Sequence, residues 1–384
     1  MIYFDNAATS WPKPDAVPEA MARFLRECGA NPGRSGHALS IQAGRVVYEA
    51  RERVARLLGL DDPLSVAFTK NATEALNVAL LGLLAPGDHV ITSVMEHNSV
   101  LRPLRHLEER GVGVTRLPCP EGALDPAAVA RAITPGTRLV VLGHASNVTG
   151  ALAPIGEVGE LARARGILFC VDAAQSAGCL PIDMGAMNID LVAFTGHKAL
   201  YGPQGTGGLC LGERARGKLR PLLRGGTGSA SDSDTQPDFL PDALEAGTLN
   251  AVGIAGLAAG LAFVEERTVE AIRRHELALT ERLLEGLRSI PGARILGPGA
   301  AARRVAVVSF NLEGQSCSEV ATALEERAGI YCRAGLHCAP LAHRQLGTFP
   351  EGAVRFSLGA FNTASQIDAA LEVVRELSVS AKGA

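Results

Sequence analysis

Thr195-Gly196-His197-Lys198 closes an apolar run, Leu191 to Phe194, and so sets a lysine at the carboxyl end of what reads as a buried strand. Open α/β sheets bind their ligands at that end. A lone lysine is more often a solvated surface charge, but a second run changes its meaning. Val171-Asp172-Ala173-Ala174-Gln175 ends another continuously apolar strand with an acid, whose burial is costly unless a cation lies beside it. A protonated pyridine nitrogen is such a cation. The pair therefore suits pyridoxal 5'-phosphate (PLP), which needs a lysine for its aldehyde, an acid on its ring nitrogen, a cup for its phosphate and a group that fixes the ring.

Asp172 would keep the ring nitrogen protonated so that the ring accepts carbanion electrons, and Gln175, three residues on, can hydrogen-bond the phenolic oxygen. Asn71-Ala72-Thr73-Glu74 stands between a strand and an apolar helix. Backbone N–H groups at that helix start, from Ala72 on, can hold a dianionic phosphate with help from Thr73. The same four residues also read as a plain capping box with Thr73 as N-cap. Glu96-His97-Asn98 follows another strand end, where His97 either lies flat on the cofactor ring or is an ordinary loop histidine.

The elements that must position these residues are legible in the hydrophobic pattern. Short β-rich runs at Ser65–Thr69, His89–Val94, Val112–Leu117, Leu139–Ala145, Ile167–Ala173, Leu191–Thr195 and Gly207–Leu211 alternate with helical spacing at Ala72–Leu84 and Ile155–Arg165. Several of these runs are continuously apolar, as strands covered on both faces are, so a mostly parallel central sheet follows. A polar stretch, Gly225 to Asp242, precedes an Ala- and Gly-rich helix from about Leu249 to Arg267 and a charged amphipathic one ending near Ile290. The last third reads as helix, strand (Val305–Asn311), helix (Ser318–Ala328), a Cys/His loop, strand (Ala353–Leu358) and a terminal helix from Ala364. The expectation is an α/β large domain over 15–258 and a smaller α+β C-terminal domain over 259–384, joined by the N-terminal segment 1–14.

With 384 residues, a formal charge of −3 and no run of Lys and Arg to neutralise a row of phosphates, nucleic acid is discounted as a partner. No stretch approaches the roughly 18 apolar residues of a spanning helix, and Met-Ile-Tyr-Phe-Asp-Asn at the start is not a secretion signal. No membrane association is expected, and the location should be cytoplasmic. Eight cysteines without a C-x-x-C pair are too sparse for a disulfide framework. Cys332, His337, Cys338 and His343 match no standard zinc spacing, so no metal is expected.

Taken in order, Asn71-Ala-Thr-Glu, Glu96-His97-Asn98, Ser146-Asn147-Val-Thr-Gly150, Asp172-Ala-Ala-Gln175 and Thr195-Gly-His-Lys198 resemble the motifs of class V aminotransferase-fold enzymes, the PLP-dependent transferases of fold type I. More narrowly they resemble the cysteine desulfurases, from the opening Tyr3-Phe-Asp-Asn-Ala-Ala to the final helix. The resemblance implies that Lys198 bonds the cofactor aldehyde, His97 stacks on the ring and Asp172 pairs with the ring nitrogen. Thr73, Thr195 and His197 would contact phosphate, and Asn147 and Arg355 would receive the substrate carboxylate. Arg355 lies in Val354-Arg-Phe-Ser-Leu-Gly, and its planar fork suits two parallel hydrogen bonds. Glu245-Ala-Gly-Thr248 resembles the segment by which Thr248 would reach the phosphate of a neighbouring subunit, implying a homodimer. Arg34-Ser-Gly-His37 matches a loop near the site entrance without an assignable role.

Arg333-Ala-Gly-Leu-His337-Cys338-Ala-Pro340 resembles the nucleophile loop of the desulfurase branch, called type II or Suf- and Csd-like, that works with sulfur-mobilising accessory systems. Attack on sulfur requires a thiolate, which Arg333 and His337 favour if they lie close enough. Leu336 stands where that pattern usually has the first of two histidines, and Thr227 to Pro241 lacks the alternation of the family's hairpin over the site. The implied reaction converts L-cysteine to L-alanine and leaves the sulfur on Cys338 as a persulfide. That persulfide would serve an acceptor protein, for example in iron-sulfur cluster assembly. The rivals are a selenocysteine lyase, a PLP aminotransferase and a non-catalytic scaffold of the same fold.

Overall fold

A computed structural model describes residues 1–33 and 35–380. Arg34, which opens the loop motif noted above, lies outside the described residues.

The chain enters through a two-residue strand, β1 (Ile2–Tyr3), and then crosses to the larger unit. Seven strands build that unit's sheet: β2 (Val66–Thr69), β3 (His89–Ser93), β4 (Gly113–Leu117), β5 (Thr137–Gly143), β6 (Leu168–Asp172), β7 (Leu191–Thr195) and β8 (Gly207–Leu211), in the order β2-β8-β7-β6-β5-β3-β4. The pairs from β4 through β3, β5 and β6 to β7 are all parallel. Strand β8 runs antiparallel between β7 and β2, so the sheet is mostly parallel, as the apolar runs imply.

Side chains alternate across each strand and meet two separate apolar layers. Val90, Leu139, Val141 and Cys170 face one layer with Leu76, Leu80 and Leu104. Ile91, Val140, Phe169 and Val171 face the other, with Val54, Val158 and Leu257. Both faces are dry, which is why these runs carry no polar alternation.

The small unit carries an antiparallel sheet in the order β12-β13-β10-β9, from β9 (Ala293–Ile295), β10 (Val307–Leu312), β12 (Arg333–Gly335) and β13 (Ala353–Ser357). Strand β11 (Ile330–Tyr331) pairs in parallel with β1, so the N-terminus is stitched to this unit. Helices Val269–Arg288, Cys317–Ala328 and Ala364–Ser380 cover the sheet around a core of Leu283, Phe310, Val320 and Phe356. Residue 259 falls within helix Ala251–Arg267, and the chain changes direction at Thr268, whose φ is 64°. No strand forms between Leu211 and Ala251. No helix among the described residues is long and apolar enough to cross a membrane.

Candidate active site

The carboxyl ends of β2, β3, β5, β6 and β7 converge on a cavity of about 320 Å³. Its walls bring together Lys198, Asp172, Gln175, His97, Asn147 and Arg355, together with Ala72, Thr73, Thr195 and His197. Thr248 is exposed and takes no part in that wall. Its segment is nonetheless anchored: Glu245 and Arg51 form a buried ion pair at 2.5 Å, and Glu245 also accepts from the Phe68 N–H.

Lys198 follows β7 through a turn that needs Gly196, where an added Cβ would stand 2.1 Å from Thr206 Oγ1. Burial lowers its ammonium to about 8; the Asp172 charge opposes that shift, and Arg355 and Arg333 add to it. Asp172, the last residue of β6, is raised by burial, while the Ala174 N–H at 2.9 Å, Lys198 and the Ser99 hydroxyl favour its anion. A buried carboxylate held this way is a ready partner for a cation in the cavity. Gln175 spends one amide hydrogen on the Ala7 carbonyl at 3.1 Å and keeps the other.

His97 caps helix Asn98–Glu108 by accepting the Ser99 N–H on Nδ1 at 3.0 Å, which places the ring proton on Nε2. Burial and the nearby Lys198, Arg333, Arg102 and Arg355 lower it to about 4, so the imidazole is neutral at physiological pH. The N-cap of helix Ala72–Leu83 is Asn71, whose side chain accepts from the Glu74 N–H at 2.9 Å. Thr73 is not the cap, and its hydroxyl is free for another partner. His197 is neutral as well, lowered to about 4 by burial and the lysines 198 and 13, with Nδ1 buried and unpartnered.

Three wall residues have roles that sequence reading does not assign. Glu96 is buried, accepts from the Ser93 hydroxyl at 2.6 Å and the Gly143 N–H at 2.8 Å, and is raised to about 7 by burial with the Asp172 charge adding. Ser99 joins His97 to Asp172. Cys119, a second thiol in the wall, is raised to about 11 by burial and by Glu96. Only the fold reveals these, because each depends on loops from different strands meeting.

Cys338 is exposed and borders an adjoining hollow of about 360 Å³, which shares Thr73, His97 and Ser99 with the main cavity. Its backbone is left-handed, with φ of 49° at His337 and 58° at Cys338, an arrangement uncommon for side-chain-bearing residues. Two hydrogen bonds hold it: the Asn147 amide donates to the His337 carbonyl at 2.6 Å, and the Asn98 N–H to the Cys338 carbonyl at 2.8 Å. Arg333 Nη2 lies 3.6 Å from the sulfur. His337 does not share that task. Burial first, and then the Arg355 charge, drive it to about 2, and its ring packs 5.6 Å from that of His343. A neutral, buried ring has no charge to offer a thiolate. Among the described residues no three His, Cys, Asp or Glu side chains cluster as a metal-ligand set.

Comparison with known proteins agrees with this architecture. The family "Aminotransferase class-V" matches residues 2–370. A "Probable cysteine desulfurase" of Methanothermobacter thermautotrophicus is 36% identical over 383 residues, 98% of this chain and 94% of that one. "Cysteine desulfurase IscS" of Pectobacterium carotovorum is 36% identical over 388 residues, covering 98% and 92%. The apo structure of cysteine desulfurase from Thermococcus onnurineus NA1 superimposes with a TM-score of 0.93 at 35% identity, covering 99% of this chain and 95% of that one. The S-sulfonic acid form of the cysteine desulfurase CsdA from Escherichia coli gives 0.87 at 32%, covering 98% and 94%. With its sheet order, its converging strand ends and these full-length likenesses, the chain belongs to the class-V aminotransferase family, among the cysteine desulfurases.

Proposed function

We propose that the protein uses PLP to convert L-cysteine to L-alanine, moving the sulfur to Cys338 as a persulfide for an acceptor protein. The observation that carries the reading is the meeting, in one cavity, of a lysine lowered to about 8, a buried Asp172 and an arginine, with an exposed thiol in the adjoining hollow. The cavity fits the cofactor by its own chemistry. Helix Ala72–Leu83 starts at its wall, the Thr73 hydroxyl is not spent on capping, and the orphaned Nδ1 of His197 lacks a partner that a phosphate would provide. When bound, the cofactor supplies the electron sink for a carbanion at the substrate Cα.

The chain's own residues do the rest. Lys198 would hold the aldehyde, and its amine, lowered to about 8, would be basic enough to take the Cα proton near neutral pH. Asp172 would keep the ring nitrogen protonated, neutral His97 would contact the ring, and Gln175 would offer its spare N–H to the phenolic oxygen. Thr195, with Ala72, Thr73 and His197, would hold the phosphate. Arg355 and Asn147 receive the substrate carboxylate. The Cys338 thiolate, with Arg333 beside it, attacks the substrate sulfur. An S–S bond forms, the C–S bond breaks, and its electron pair stays on carbon, which takes a proton to become the alanine methyl.

Thr248 lies outside its own cavity on a segment braced by the Glu245–Arg51 pair, which supports a two-fold homodimer in which it reaches the partner's phosphate. The test is turnover of L-cysteine by PLP-loaded protein. Stoichiometric alanine with sulfur on the enzyme supports the reading. Higher catalytic efficiency on selenocysteine, or amino exchange with pyruvate, replaces it with the corresponding rival.

A further inference from the structure

Residues 5–13 run from the small unit across the cavity mouth and touch functional groups on the way. Ala7 accepts from Gln175, and Thr9, Ser10 and Lys13 all bond the His197 carbonyl. The first contact is the most consequential. Asp5 Oδ1 accepts from Arg355 Nη2 at 2.7 Å, in an ion pair where Arg355 is 1% exposed. Arg355 Nη1 donates to the Asn147 carbonyl at 3.0 Å, and Nε is buried with no partner at all.

A guanidinium has five N–H donors in a rigid plane. With one hydrogen of each terminal nitrogen committed, the unspent edge is Nε–H with the second hydrogen of Nη2. That edge is the planar fork a carboxylate takes with two parallel bonds. A buried donor left without a partner is costly, and Arg355 lines the cavity. Arg355 also stands directly opposite Arg333 in the β12–β13 ladder, a like-charge pairing that pushes the two apart. Asp5 is the carboxylate that offsets it.

We propose that Asp5 is a positioning residue for the substrate carboxylate: it holds Arg355 against the repulsion of Arg333 and turns its Nε–Nη2 edge toward the cavity. This rests on the assignment of Arg355 as carboxylate receptor, and it is tested by binding rather than by desulfuration. Removing the negative charge releases Nη2, and the guanidinium swings toward other acceptors, so the carboxylate loses part of its fork.

The experiment measures dissociation constants of PLP-loaded enzyme for L-alanine and for ethylamine, the same amine without the carboxylate, from the change in cofactor absorbance. Asp5→Asn keeps size and loses charge. It should weaken L-alanine about tenfold, the scale of one charge-assisted hydrogen bond, and leave ethylamine unchanged. Asp5→Glu should recover most of the L-alanine affinity. Equal losses for both ligands, or L-alanine affinity unchanged in Asp5→Asn, overturn the proposal. So does an Asp5→Glu variant that binds L-alanine no better than Asp5→Asn. Alanine release from L-cysteine, measured on the same preparations, judges the desulfurase reading separately.

Discussion

The sheet ends around Lys198 and the loop around Cys338 border the same reaction space and are built on opposite terms. At the sheet ends the groups are drawn away from water, and the basic ones are pushed toward neutrality: Lys198 to about 8, His97 and His197 to about 4. At the loop the sulfur is exposed, the backbone is left-handed, and an arginine stands 3.6 Å away. The contrast is sharpest between the two thiols. Cys119 lies in the cavity wall, but burial and Glu96 raise it to about 11 and hold it as an inert thiol. Cys338 lies outside, exposed, with the Arg333 guanidinium 3.6 Å from its sulfur. Dry surroundings suit proton chemistry, and an open, cationic border suits a nucleophile that must also hand its sulfur on.

The largest effect expected from this contrast is at Lys198. Lys198→Ala should lower alanine formation by at least about 10³-fold, as removal of a positioned proton-transfer group does, with thermal stability little changed. Next comes the cation beside the sulfur. Arg333→Met should slow persulfide formation about tenfold, the scale of one lost charge-assisted contact to the sulfur; an unchanged rate would remove Arg333 from the chemistry at the sulfur.

A pH measurement sharpens the other side. Since the Lys198 ammonium is lowered to about 8, its free amine accumulates as pH rises through 8. PLP uptake by the apoprotein should climb through that range and level off, where a solvated lysine would go on gaining beyond pH 10. The smallest effect belongs to Cys119. Cys119→Ala should leave persulfide yield within about twofold, because a thiol with so raised a pKa contributes little thiolate.

The strands and their buried faces were readable because an apolar run covered on both sides leaves a period and composition that few other structures share. Lys198, Asp172 and Gln175 were readable as strand-end residues for the same reason. The pieces that stayed hidden are products of convergence. Asp5 and Arg355 are 350 positions apart. Glu96 meets Gly143, and Asn147 meets His337, only once the loops are in place. The condition set on His337, that it lie close enough to serve the sulfur, is decided by the same convergence: the left-handed turn buries its ring against His343. Thr73 lost the capping role to Asn71 because the helix begins two residues earlier than that role requires.

Whether the exposed thiol, not the buried one, takes the sulfur is read from alanine and enzyme-bound persulfide made from L-cysteine by PLP-loaded wild type and Cys338→Ala. Wild type should give both products and the variant neither; alanine production unchanged in Cys338→Ala would show that Cys338 is not the acceptor and favour the lyase chemistry instead.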